Sequence, residues 1–529
     1  MVKDQAKNVQ IKNVQLKDIY VGTANGLNEA KNENFISYFY TGNNKYKEFL
    51  NNKNKFIISG RKGTGKTILA KYFEAEQNKK NNPSVTLTDR DIELLELIEV
   101  GPTKVSSTER SLFIEFSILT QMGKLIIKNK KRLFKITNIS KWNKILKKVK
   151  FIDNVVNGRT CVENFYKDKY VVDSRETSGC SSGAKLNTKF LTGEGSSDIK
   201  SERGVKCEYI KTPYYNQISR LREDIVYLLD YICINVIFDD LDEYDKILTG
   251  NQDLIDYFNT FIKVCNNVNS AIQENKKSYS RVILLLRSDM LRPLNNASKN
   301  VNKIVTDAQI KLNWIKKVPV SKPHPLMELI AEIIRKSNPV LKDLSYNEII
   351  DRFFPKQING IYTINYLLNS SFGRPRDIIN LLNVVKENNP TANRFSKRNI
   401  QAAFGDYSKI FLDDLRNEMS SYLNAEQIEE CFDIIRKIKK CEFWLSDIEN
   451  VFKEMGDNLI YFKTPKQFYT TCYDYGIIGN VVIKETDNKE TNGKVKKDYC
   501  WKYREDGKET PDEKEKFCLH FALTRRLIR

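Results

Sequence analysis

The sequence predicts an α/β protein: a parallel sheet flanked by helices, then a helical segment, then a C-terminal domain of winged-helix-like order. Three observations predict it. Short apolar runs of strand type, Phe56–Ser59, Ser84–Leu87, Ile234–Phe238 and Arg281–Leu286, alternate with helix-type segments, the pattern of strand–helix units that build a parallel sheet. Residues 325–395 read as mostly helical. The last stretch sets two capped helices before two strand-like runs. At 529 residues the chain exceeds a single core, so several domains are expected. Residues 1–50 are expected to form an N-terminal lead-in and 51–315 the α/β core with an insert at about 124–211. A helical lid follows over 316–395, and a helical linker with the winged-helix-like domain over 396–529.

Taken in order, short helices are expected about Asn34–Tyr38 and Tyr46–Leu50. The strand Phe56–Ser59 runs into a glycine loop, and Ile68–Phe73 continues as a helix. Ser106, Ser107, Thr108 and Glu109 read as a capping box opening a long helix to about Ile127. Residues 124–150 carry eleven Lys or Arg and no acid. They read either as the solvated face of helices, with Leu125, Ile126, Leu133 and Phe134 inward, or as a surface that tracks phosphates. From Cys161 to Lys211, Gly- and Ser-rich turns between short segments suggest an inserted β-hairpin or meander. Helix resumes at Gln217–Tyr231 and again about Asp253–Gln273.

In the tail, Ser446–Glu449 reads as a capping box for a helix through Met455. Thr464–Gln467 reads as another, with Pro465 in the first helical position. Val481–Lys484 and Asp498–Tyr503 then form a hairpin around the polar loop Glu485–Lys497. Helix, helix, hairpin is the order of a winged helix. Its second helix would present Lys466, Gln467 and Tyr469, and its wing Lys494, Lys496 and Lys497, either to nucleic acid or to a protein surface, since fold does not fix function. A closing helix is expected over His520–Leu527, with His520 a packing residue.

The loop Gly60-Arg61-Lys62-Gly63-Thr64-Gly65-Lys66-Thr67 fits G-x-x-x-x-G-K-[ST] without a mismatch, after a strand and before a helix. That context marks a P-loop, the phosphate cradle of an NTPase. Gly63 and Gly65 let successive N–H groups turn inward around phosphates, and the helix that follows, with Ile68 in its first turn, points its positive end at the same charge. Lys66 is expected on the β- and γ-phosphates of ATP and Thr67 on Mg²⁺. The strand ending at Asp239 supplies a carboxylate for Mg²⁺, directly or through water, next to the P-loop strand. Asp240 is placed to polarise the attacking water. It is one methylene shorter than the Glu of many ATPases, which suits slow turnover. Asp242 and Glu243 read as catalytic or as a solvated helix start. Arg287 ends a strand where a γ-phosphate sensor belongs. Arg374 or Arg376, flanking Pro375, is expected to face the phosphates from the lid through its guanidinium fork.

These motifs together resemble prokaryotic ATPases of the AAA+/STAND-like branch. The resemblance rests on Gly60–Thr67, on Asp239–Glu243 as a DDLDE segment, on Arg287–Asp289, on Ile310–Trp314 and on Arg374–Asp377 as an RPRD segment. It covers roughly residues 20–395 well and the tail more loosely. It implies ATP binding, a helical lid and a winged-helix tail. Proteins of this kind often occur beside anti-phage defence or mobile-element genes.

A formal charge of +20 predicts attraction to polyanions such as DNA or RNA. The polar N-terminus lacks a signal-peptide core, and no apolar run is long enough to span a membrane. Ten scattered cysteines without a Cys-x-x-Cys pair, and two histidines, leave a zinc site little to draw on and fit reduced, cytoplasmic protein. The expected function is a Mg²⁺-dependent switch ATPase that self-associates as a homo-oligomer in its ATP state and is coupled to nucleic-acid recognition. The alternative is a nucleotide-locked scaffold that recruits an effector protein with little turnover.

Overall fold

The computed structural model describes residues 11–42, 44–88, 107–135, 139–157, 211–239, 252–274, 278–315, 323–484, 496–504 and 507–528. The expected hairpin insert, Ser106, Asp240, Asp242, Glu243 and Lys494 lie outside them.

Five parallel strands form the core sheet: β1 (Ile57–Gly60), β2 (Ser84–Leu87), β3 (Asn235–Phe238), β4 (Arg281–Arg287) and β5 (Gln309–Lys311), in the order β2-β3-β4-β1-β5. The central strands are apolar at nearly every position because both faces are covered. Their side chains alternate between two cores, as the period of two demands. Ile57, Val236, Phe238, Val282, Leu284 and Leu286 join one core, which takes in helices Ser107–Lys128, Gln252–Glu274 and Lys299–Ala308. Ile58, Ile237, Ile283, Leu285 and Ile310 pack on the other face against Phe49, Leu69 and Phe73, from helices Asn44–Asn51 and Lys66–Lys79.

The sheet order corrects one expectation. β3 does not adjoin β1; β4 lies between them. At the ~4.8 Å spacing of strands, Asp239 therefore stands roughly 10 Å across the sheet edge from the glycine loop, with the end of β4 in between.

The lead-in is integral to the helical part of the chain. Val14, Leu16, Ile19 and Val21 pack into one core with Leu326, Ile330, Ile334, Ile378 and Leu382. The Arg352 guanidinium pins this segment by donating to the carbonyls of Ile11 (3.2 Å), Lys12 (2.9 Å) and Val14 (3.0 Å). The expected lid is helical: Pro325–Ser337, Tyr346–Phe353, Thr363–Asn369 and Pro375–Asn388, joined by helix Lys397–Met419. Two short strands, β6 (Gln357–Ile358) and β7 (Ile361–Tyr362), form a small hairpin within it.

The C-terminal part has helices Ala425–Ile438, Leu445–Met455 and Pro465–Tyr475, and a four-stranded antiparallel sheet. Its strands are β8 (Glu442–Phe443), β9 (Ile478–Lys484), β10 (Lys496–Cys500) and β11 (Lys516–Leu519), in the order β10-β9-β11-β8. The expected hairpin is present as β9 and β10, with β10 beginning two residues earlier than expected. The sequence reading lacked β8 and β11. The Thr464 cap holds, its side chain accepting from Gln467 N (3.2 Å) behind Pro465 at the helix start. The other cap lies two residues before the expected Ser446: Asp447 accepts the Trp444 N–H at 2.8 Å.

Candidate functional site

The glycine loop leaves the C-terminal end of β1 and enters helix Lys66–Lys79 directly. Gly63 has φ +86° and Gly65 φ +94°, a region that any side chain makes costly. At Gly65 an added Cβ would meet nothing within 4 Å, so backbone conformation alone demands glycine there. Lys66 Nζ folds back and donates to the carbonyls of Gly60 (3.0 Å) and Arg61 (3.3 Å). Thr64 Oγ1 donates to Arg61 O at 2.8 Å. Trp314, three residues past β5, donates its indole N–H to Thr64 O at 2.9 Å. Thr67 and Ile68 occupy the first turn of the helix, half-buried.

At the opposite side of the sheet edge, Asp239 is buried at the end of β3, its N–H continuing the ladder to Leu87 O (2.9 Å). Between them stands Arg287, in register with Gly60. It is no surface strand cap: it is buried and grips the Asp289 carboxylate with Nε (3.1 Å) and Nη2 (2.6 Å).

The two lid arginines divide their work. Arg374 is buried, forked onto Asp377 (Nη2 to Oδ1 2.9 Å). Its Nη1 donates to Lys62 O (2.9 Å) and reaches Glu418 (3.3 Å). Its guanidinium thus braces the backbone of the glycine loop. Arg376 lies across Gly63: its N–H points at Gly63 O (3.5 Å), its Nε donates to Ala24 O (3.3 Å), and a Cβ at Gly63 would meet Arg376 Cβ at 3.0 Å.

Glu418, on helix Lys397–Met419, receives Arg61 as well as Arg374 (Arg61 Nη2 to Oε2 3.4 Å). Burial alone would raise its carboxyl. The charges of Arg61, Arg374, Arg287 and Lys62 outweigh burial and hold it down at about 2. The Arg61 guanidinium also lies over the ring of Phe372 (4.5 Å) and that of Tyr503 (5.6 Å), which follows β10. Tyr503 packs edge-on against Phe372 at 5.1 Å, and His520 stacks on Phe411 at 4.9 Å. His520 is therefore a packing residue, with burial lowering its pKa to about 3.

Beside the loop lies an apolar cavity. Thr23, Glu29, Tyr38, Phe39, Ile68 and Trp314 are among its walls. Helix Gly26–Ala30 brings it there, an added Cβ at Gly26 meeting Ile68 Cγ1 at 3.2 Å and Thr67 Cβ at 3.3 Å.

Structure thus brings Gly60–Ile68, Arg287, Arg374 and Arg376 together and puts Asp239 on the same sheet edge. Sequence reading missed Glu29, Glu418, Phe372 and Tyr503. None sits in a pattern of fixed spacing, so only the fold assembles them.

The expected nucleic-acid contacts fare differently. On helix Ile139–Asn157, Lys141, Lys144, Lys147 and Lys150 are exposed. Lys148 instead pairs with buried Asp224. On the C-terminal domain Lys466 and Gln467 are exposed. Tyr469 is not available: it is buried, stacked on Phe517 (5.5 Å) and bonded to Glu513. Lys497 is paired with Glu442 (2.7 Å).

The class these features define is an α/β protein with a parallel sheet compatible with nucleotide binding, followed by a helical domain. Residues 324–416 match the family model described as a FunZ-associated C-terminal helical domain, a span that runs from the expected lid into helix Lys397–Met419. No curated protein matches the chain. No helix among the described residues is long and apolar enough to cross a membrane.

Proposed function

We propose that the chain is a Mg²⁺-dependent ATP-binding and hydrolysing switch of the P-loop class, coupled to nucleic-acid recognition. The observation that carries this reading is the glycine loop itself. A G-x-x-x-x-G-K-T segment with two positive-φ glycines joins the end of a parallel strand to a helix N-terminus, where N–H groups and dipole favour phosphate. The surroundings suit the rest of the nucleotide. The apolar cavity beside Ile68 lies where a base would, and the Thr67 hydroxyl and, through water, the Asp239 carboxylate are the oxygen donors Mg²⁺ prefers. Arg287 stands where a γ-phosphate would be sensed.

The switch reading is supported by what touches the loop. Arg61 of the loop is held by Glu418 and lies over Phe372 and Tyr503, so a change in loop conformation is felt by the lid and the C-terminal domain at once. That domain we read as a winged helix elaborated by β11. With the exposed lysines of helix Ile139–Asn157 it gives the molecule two basic faces for DNA or RNA.

Lys66→Ala removes the main cation on the β- and γ-phosphates. Calorimetric titration with Mg·ATP should show binding by the parent chain and its loss in the variant. Equal affinity in the two, or no binding by the parent, would refute the assignment. Steady-state turnover with and without DNA and RNA then separates a switch from a scaffold.

A further inference from the structure

Glu29 is 94% buried, with 6% relative exposure, and forms part of the wall of the apolar cavity beside the glycine loop. Such a carboxylate must be paired or hydrogen-bonded. One of its oxygens is: Oε2 accepts from Tyr20 OH (2.5 Å), from Thr23 N (2.7 Å) and from Thr23 Oγ1. Oε1 accepts no bond among the described residues. Three donors on one oxygen fix the plane of the carboxylate and leave the other oxygen an unused acceptor on a residue that lines the aromatic-walled cavity. The Tyr20 hydroxyl answers to this arrangement. Burial and its bond to Glu29 push its pKa up to about 12, so it stays a donor.

We infer that Glu29 reads the nucleotide base, Oε1 accepting a hydrogen bond from an exocyclic amino group, which selects adenine over its 6-oxo analogue. This inference rests on the nucleotide-binding reading above. The placement fits a base and not a phosphate. Helix Gly26–Ala30 lies against Thr67 and Ile68, in the first turn of the helix that begins at the loop, and the walls Phe39, Ile68 and Trp314 are apolar or aromatic, as stacking on a purine needs. A carboxylate is acceptor-only, so it can meet the 6-amino group of adenine. The 6-oxo group of hypoxanthine would set lone pair against lone pair. Sites built around a substrate N–H reject analogues lacking it.

The chosen probes are Mg·ATP and Mg·ITP, which differ at position 6 and in the N1 proton that accompanies the 6-oxo form. Titrated into the full chain, ATP should bind at least about tenfold more tightly than ITP, the cost of one lost bond to a charged acceptor. Glu29→Gln, whose amide rotates to donate or accept, should bring the two affinities within about threefold. Equal affinities in the parent chain would overturn the inference whatever the variant does. So would an ATP preference that survives Glu29→Gln, or a preference for GTP. Absence of binding by both ATP and ITP is a different result: it refutes the nucleotide reading itself. Lys66→Ala provides the internal control, since it should abolish binding of ATP and ITP alike.

Discussion

Glu418→Gln takes one negative charge from a place where two guanidiniums meet. In the folded chain Arg374 and Arg61 both reach this carboxylate, at 3.3 and 3.4 Å. Glutamine keeps the shape and the acceptor oxygen but not the charge. The carboxyl lies at about 2, against ~4.3 for an exposed glutamate. A shift of roughly two units, at ~1.4 kcal/mol each, corresponds to about 3 kcal/mol of stabilisation of the ionised form. Arg374 keeps Asp377 and Arg61 keeps its aromatic neighbours, so the loss should fall at or below the ~3–5 kcal/mol seen when a buried pair is broken outright. The sign of the pH dependence follows from the direction of the shift. Because the folded pKa is depressed, the contribution is fully present above the unfolded value near 4.3 and disappears as pH falls toward 2. Urea denaturation of parent and variant, followed by circular dichroism at several pH values, measures it. At pH 7 the variant should unfold at clearly lower urea. Below about pH 4 the gap should narrow progressively and close only near pH 2, as first the unfolded and then the folded parent carboxylate takes up a proton. Equal stability at pH 7, or a gap that stays constant down to pH 3, would refute the assignment of Glu418 as the anion that unites loop and lid.

Asp240→Asn should keep Mg·ATP binding but slow hydrolysis at least tenfold, read as phosphate release at saturating ATP; normal turnover would move the water-polarising role elsewhere. Binding of DNA or RNA should weaken steeply with salt as condensed counterions are released. Replacing Lys141, Lys144 and Lys147 together should flatten the log–log salt slope by about one unit per lost phosphate contact, measured by fluorescence anisotropy. Lys148 is left out of the set because its ammonium is held by Asp224. Absence of binding to either nucleic acid at low salt would reduce this face to a solvated surface.

The glycine loop and its flanking strand and helix were legible in the sequence because the chemistry of a phosphate cradle fixes residue types at fixed spacing, within a single strand–turn–helix. β1, β3 and β4 were legible for a similar local reason: buried along their whole length, they read as largely apolar runs, whereas β5, with a polar residue at each end and one of them exposed, was not read as a strand. Their order was not, since β4 slips between β1 and β3 and nothing local in Arg281–Arg287 states which neighbours it takes. β8 and β11 were missed because two and four residues carry too little alternation to register. The role of Val14–Val21 was hidden by its polar surroundings, the apolar residues being thinly spread along an irregular segment. Arg374 shows a further limit. Sequence offered Arg374 or Arg376 as the phosphate contact, because an arginine beside a helix-starting proline suits one. Its actual partners, Asp377 and Glu418, lie three and forty-four residues away, and only folding could reveal that they claim the guanidinium.

The glycine loop is touched from four directions: by Ala24 through Arg376, by Trp314 through Thr64, by Arg374 through the Lys62 carbonyl, and by Glu418, Phe372 and Tyr503 through Arg61. In this arrangement Lys66 is bonded to the loop's own carbonyls. A phosphate that draws Lys66 away must release Gly60 O and Arg61 O, and Arg61 is the residue whose side chain the lid and C-terminal domain hold. Packed aromatic contacts of this kind have discrete arrangements and do not deform smoothly. A ligand shifts such an equilibrium only by its differential affinity for the two arrangements. Linkage then makes the coupling reciprocal: if nucleotide loosens the hold on Arg61, loosening that hold must tighten nucleotide by the same factor. Glu418→Gln therefore tests the switch as well as the stability. A variant that is less stable yet binds Mg·ATP more tightly is what a loop restrained by its lid and tail requires, and unchanged affinity would mean the restraint and the nucleotide site are independent.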